Sequence, residues 1–183
     1  MEGTHRVWVG DRWGEVAVPA MAGTPIMVPN VAALVFPSTE RSEVLLQRRD
    51  KPHEPVRGRL ELPGGRWEAG ERPDAAVRRE VLEETGVRVT AVAAAVTIDR
   101  HQQHIATATA HPVAVVCGLE GAYPSLHVLF ECYGEGDPRP LPGEVADPRW
   151  WDVADVLDLL EREPHAFIAQ TAAMLRAGLV NRS

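Results

Sequence analysis

Glu80, Glu83 and Glu84 lie together in the stretch Arg79-Glu80-Val81-Leu82-Glu83-Glu84-Thr85-Gly86. On a helix at 100° per residue they fall within an arc of about 100°. Val77, Val81 and Leu82 are expected to point elsewhere, into a core. The carboxylates are thus neighbours at i, i+3 and i, i+4, where each like-charged pair costs about 0.2–0.5 kcal/mol. Glu83 and Glu84 also stand at the C-terminal end of the helix, where its dipole repels anions. A cation resolves the conflict. Oxygen ligands clustered without His or Cys suit Mg²⁺ or Mn²⁺ rather than zinc, held through few carboxylates and shared with substrate phosphates. The ordinary alternative is a solvated acidic face. Against it stand Gly64 and Gly65, which let the backbone approach a ligand closely, and Glu71, placed to meet a basic residue on the helix.

The helix that carries these acids is well bounded. Pro73 suits its first position, Asp74 its first turn, and Gly86 can end it in the left-handed conformation. Before it, Val31–Phe36 reads as a buried strand and Glu43–Arg49 as its partner, joined by a turn at Ser38–Arg41. Residues 50–59 form a loop, and Leu60–Leu62 a short strand running into Pro63-Gly64-Gly65. Residues 5–19 read as a hairpin around Gly10-Asp11. After the helix, strands are expected at about 87–98, 105–117 and 125–133, with a Gly/Pro-rich loop over 134–148. A short strand at Trp150-Trp151 and helices at about 153–162 and 165–177 complete the chain.

Composition narrows the function. The 183 residues are 45% hydrophobic and 25% charged, enough apolar material for one domain with a sizeable core. A net charge of −7 argues against a nucleic-acid binder, whose affinity would come from massed basic residues. It leaves room for a nucleotide held by a metal and a few Arg. Of 19 basic residues only Lys51 is a lysine. The two cysteines, Cys117 and Cys132, form no disulfide or zinc pattern and are expected to be buried thiols. The absence of a signal-like N-terminus or a long apolar run leads to the expectation of a cytoplasmic protein with no membrane association.

The spacing Gly65, five residues, Glu71, seven residues, then Arg79-Glu80-Val81-Leu82-Glu83-Glu84-Thr85-Gly86-Val87 resembles the signature box of Nudix hydrolases. Every defined position matches. The resemblance implies the Nudix fold, an α+β arrangement with a mixed sheet sandwiched between helices. Residues 29–183 would form that domain, including the C-terminal helix, and residues 1–28 an N-terminal hairpin extension. It also implies hydrolysis of a diphosphate bond with Mg²⁺ or Mn²⁺. By the family pattern Glu80 and Glu84 are the main metal ligands, with Glu83 alongside and the Gly65 carbonyl nearby. Glu71 and Arg79 would form a supporting ion pair. Family members often add one acid from a late loop, as ligand or general base. Glu144 is the choice, with Glu131, Glu135 and Asp137 as rivals and Glu80 as another candidate base.

Other residues carry weaker signals. Arg48 and Arg49 can reach a phosphate, though strand neighbours face opposite ways and one of them should point away. Trp67 could stack on a base but is expected to pack. His101 and His104 have metal-like spacing on a segment that does not bring them together. For substrate, a nucleoside triphosphate or modified nucleotide ranks first. ADP-ribose or another nucleotide sugar ranks second, favoured by the N-terminal hairpin, because some ADP-ribose enzymes use such an extension to form a homodimer. A non-catalytic ligand sensor on the same fold is the reading from a different class, and the intact box argues against it.

Overall fold

In the computed structural model, the described residues are 4–8, 13–17, 27–68, 70–94, 96–102, 105–119, 125–140 and 144–180. The strands are β1 (Thr4–Trp8), β2 (Trp13–Ala17), β3 (Val28–Phe36), β4 (Glu43–Arg49), β5 (Leu60–Glu61) and β6 (Gly64–Arg66), followed by helix α1 (Pro73–Thr85). Then come β7 (Arg88–Val92), β8 (Thr97–Gln102), β9 (Ile105–Thr109), β10 (Ala114–Gly118), β11 (Ser125–Glu135) and β12 (Val145–Asp152). Helices α2 (Val153–Arg162) and α3 (Ala169–Leu175) end the fold, with a wide turn over Arg176–Val180.

β3 is the organising strand, and its apolar run follows from burial on both faces. Val31, Ala33 and Val35 face one core, which α1 covers with Ala76, Val77 and Val81. Ala32, Leu34 and Phe36 face the other, which α2 covers with Val156 and Leu160, and α3 with Ala172, Met174 and Leu175. Each fully buried aliphatic or Phe side chain contributes about 1.5–3 kcal/mol through transfer from water, so this central strand anchors both layers. β11 runs parallel to β3, and the order β10-β11-β3-β6 is extended by β7 pairing the far end of β11. A second sheet, β12-β4-β5, is antiparallel. The result is a mixed-sheet α+β sandwich between helices, with an antiparallel β1–β2 hairpin preceding it. The expected turn at Gly10-Asp11 lies outside the described residues.

Several expectations need correction. The strand expected at 87–98 is two, β7 and β8, and that at 105–117 is also two, β9 and β10. β12 is longer than a Trp pair because it lines the whole of β4. The last helix breaks at Pro164–Ala166 and starts at Ala169. Cys117 is exposed because β10 is an edge strand, whereas Cys132 is buried and its thiol is pushed up to about 12 by burial. Leu82 is also exposed, its position on α1 turning it from the core to solvent.

Candidate active site

The first turn of α1 has no side-chain cap and opens on Pro73, whose missing N–H would have gone unsatisfied in any case. Its last turn closes on Gly86 at φ 69°, a left-handed conformation in which the Gly86 N–H donates to Leu82 O. The Arg139 N–H satisfies the Thr85 carbonyl from the following loop. Between these ends the three glutamates are graded by depth. Glu83 is 56% exposed at its side chain, Glu80 12%, and Glu84 is buried.

Glu84 is buried against β4 and the start of β6. Its Oε2 accepts the Gly64 N–H at 2.9 Å and Gln47 Nε2 at 2.7 Å. Gly65 lies against Glu80 so closely that a Cβ there would fall inside the Glu80 carboxylate, which only glycine avoids. Arg79 ties the surrounding loop to the helix. Its Nε and Nη2 fork Glu71 at 3.0 Å each, and Nη2 also donates to Arg66 O. Its Nη1 donates to Glu80 Oε1 at 2.7 Å and to Glu83 Oε2 at 3.2 Å. The Arg79 hydrogen bond holds Glu71 below the usual carboxylate range.

Sequence reasoning missed two residues beside Glu84. Gln47 and Glu61 stand directly opposite each other on β4 and β5. Gln47 is fully buried, and its Nε2 reaches Glu61 Oε1 at 3.5 Å as well as Glu84. Its Oε1 has no hydrogen-bond partner among the described residues, a burial that costs about 1–3 kcal/mol. The signal was present in the two-residue period of Leu60-Glu61-Leu62. Both leucines enter the α2–α3 core, so the acid between them must face α1. Burial drives both carboxyls up, Glu61 to about 7 and Glu84 to about 8, with each other's proximity raising Glu84 further. Burial also raises Glu80, while Arg79 holds it back.

The two arginines at the end of β4 separate as alternation requires. Arg49 faces α1, forking Glu54 at 2.6 and 2.9 Å and lying 3.7 Å from Glu61. Arg48 faces the other way, donating to Gly58 O and pairing with Asp147. Glu144 is 61% exposed, pairs with Lys51 at 3.3 Å, and lies near enough for its charge to raise Glu80. Its rivals are engaged elsewhere. Glu131 is buried beside Arg41 and the Tyr133 hydroxyl, Glu135 pairs with Arg88, and Asp137 pairs with Arg139. Trp67 packs against the α1 core, its indole N–H donating to Glu71 O. Neither the His101 side chain nor His104 is among the described residues.

The donor set around Glu80, Glu83 and Glu84 is all oxygen, the chemistry that suits a hard divalent cation, and the space over Gly65 is filled by the Glu80 carboxylate. Among the described residues no three acidic, His or Cys side chains converge tightly enough to hold an ion as they stand. Arg79 Nη1 sits between Glu80 and Glu83 as their counter-charge.

A carboxylate-bearing helix is thus set against a glycine turn, on a mixed sheet between helices. The NUDIX domain model matches residues 28–171, more than half of the chain, which therefore belongs to the Nudix family of pyrophosphohydrolases acting on nucleoside diphosphate derivatives. Members of this family generally use divalent metal ions. Solved structures share the fold. The MutT Nudix hydrolase from Burkholderia pseudomallei is 18% identical, with 83% of this chain and 98% of that one covered at a TM-score of 0.60. The MutT protein from Methanosarcina mazei Go1 is 21% identical, with 88% and 99% covered at 0.61. The Nudix domain of Shewanella oneidensis NrtR, complexed with ADP ribose, is 17% identical, with 90% and 94% covered at 0.60. No helix among the described residues is long and apolar enough to cross a membrane.

Proposed function

We propose that this enzyme hydrolyses the diphosphate bond of a nucleoside triphosphate or modified nucleotide with Mg²⁺ or Mn²⁺. The observation that carries this reading is the buried Glu84 carboxylate, held on one oxygen by the Gly64 N–H and Gln47, with Glu80 beside it. Glu84 and Glu80 would hold the cation, with Glu83 alongside and the Gly65 carbonyl nearby. When bound, the ion neutralises phosphate oxygens and lowers the pKa of the attacking water. The residues do the rest. Glu71 keeps Arg79 fixed across the loop, so that the helix and Gly65 stay in register. Glu144, near Glu80 yet open to solvent, accepts the proton of the water as its oxygen attacks phosphorus and the bridging P–O bond breaks. Arg49 faces the carboxylates and is the better placed of the two arginines to meet a substrate phosphate, by exchanging its bond to Glu54. Arg48 faces away.

A second reading, hydrolysis of ADP-ribose, is supported by the ADP ribose in the NrtR Nudix domain, which shares this fold. Product analysis with Mg²⁺ separates the two. The panel holds nucleoside triphosphates, oxidised nucleotides, ADP-ribose, nucleotide sugars, dinucleoside polyphosphates and coenzyme A. Pyrophosphate with a nucleoside monophosphate from the first class supports the leading reading. AMP with ribose phosphate supports the second. Failure to turn over any member would overturn both.

A further inference from the structure

Gln47 is an unusual residue for its position. It lies on the central part of β4, wholly buried, on the same face as Leu45, which belongs to the α1 core. A leucine there would pack with no polar atom of its own to satisfy, whereas Gln47 keeps an Oε1 without a partner among the described residues. The amide must therefore supply something that packing does not. What it supplies is a donor shared between two carboxylates, 2.7 Å from Glu84 Oε2 and 3.5 Å from Glu61 Oε1. The Gly64 N–H falls on the same Glu84 oxygen, so both donors engage Oε2 and neither engages Oε1.

We propose that Gln47 is a positioning residue: with Gly64 it pins Glu84 Oε2 to the protein so that Oε1 is presented to the cation, and it screens Glu84 from Glu61. Groups that hold a metal's ligands set its affinity by orienting them, and losing one typically weakens binding about 10–100-fold. Glu61 is the counterpart on the neighbouring strand. Because residues 47 and 61 are directly opposed, the amide and the carboxylate can be exchanged between strands while one of each still faces Glu84. This inference rests on Glu84 being a metal ligand.

The test is titration of the metal-free protein with Mn²⁺, free ion being followed by electron paramagnetic resonance, with thermal unfolding recorded in parallel. Gln47→Leu should bind Mn²⁺ about 10–100-fold more weakly, and its turnover should recover in part at high Mn²⁺. Gln47→Glu, which sets a third acid beside Glu84, should bind weakly as well. The exchange Gln47→Glu with Glu61→Gln should regain most of the lost affinity, a coupling expected only of groups in contact. It also serves as the test if Gln47→Leu does not fold. Wild-type Mn²⁺ affinity in Gln47→Leu, or an exchange variant no better than Gln47→Glu alone, would overturn the proposal. Glu84→Gln separates the two readings. If it binds Mn²⁺ like wild type, the metal-site reading fails. If it loses Mn²⁺ while Gln47→Leu keeps it, only the role of Gln47 fails.

Discussion

Helices α1 and α2 lie on opposite faces of the same sheets, yet they are built to different rules. In α2, the Asp152 carboxylate caps the Ala154 and Asp155 N–H groups, Asp155 stands in the first turn, and Arg162 closes the last turn paired with Asp158. Each device favours the helix itself. In α1, no side chain caps the N-terminus, no basic residue stands in the last turn, and a glutamate is buried there instead. The contrast separates two uses of sequence. α2 is optimised to fold, whereas α1 accepts local cost and sets Glu84 against Gly64 and Glu80 against Gly65.

This contrast can be broken or sharpened by mutation. The largest effect is expected in α1, where Glu84→Gln should lower turnover by orders of magnitude by removing a ligand charge. The metal-free variant should melt no lower than wild type, since the amide never carries the charge whose burial costs stability as pH rises, and its oxygen can still accept from Gly64 and Gln47. A steady-state assay with a parallel melt reads both. A reversed result, with turnover kept and stability lost, would make α1 an ordinary structural helix.

The next effect is a pH dependence. Burial raises Glu61 to about 7 and Glu84 to about 8 from an ordinary value near 4.5. Their neutral forms therefore favour folding, a contribution fully present below about 4.5 and lost as pH rises through 7 and 8. Melting of chelator-treated protein should fall between about pH 5 and 8 on their account and level off above that, and Glu84→Gln should flatten the slope. A flat wild-type profile would mean that these carboxyls are not perturbed.

Smaller effects belong to α2. Asp152→Ala should remove the cap at a cost of about 1 kcal/mol. That corresponds to a drop in Tm of about 2–4 °C for a domain of this size. The kcat and KM of the folded fraction should stay at wild-type values. Smallest of all, Arg162→Ala breaks an exposed i, i+4 pair and should leave Tm within experimental scatter. A loss of kcat in either variant would show that the two helices are not divided in this way.

Local chemistry explains what could be read in advance. The bounds of α1 follow from Pro73 and Gly86, and those of α2 agree with its expected range, because capping and stopping signals act within a few residues. β3 was legible as an apolar run, but its two cores were not, since strict burial on both faces erases alternation. The splits between β7 and β8 and between β9 and β10 depend on which strands β11 pairs with, a long-range matter. The same holds for the site. The acids on α1 announce themselves by spacing, whereas Gln47 and Glu61 reach Glu84 only through the β4–β5 register. Cys117 was misjudged because an edge strand and a central strand can share one composition.

The most direct test of the account is thermal unfolding of the wild-type protein in chelator and then in excess Mg²⁺ or Mn²⁺, with Glu84→Gln beside it. A cation bound only by the folded state stabilises it by about 2.7 kcal/mol at 100 times its dissociation constant. The wild-type Tm should rise clearly with either ion, and that of Glu84→Gln should rise little. Equal Tm values for the wild type with and without the ions would contradict it, leaving the acidic face of α1 without the cation that explains it.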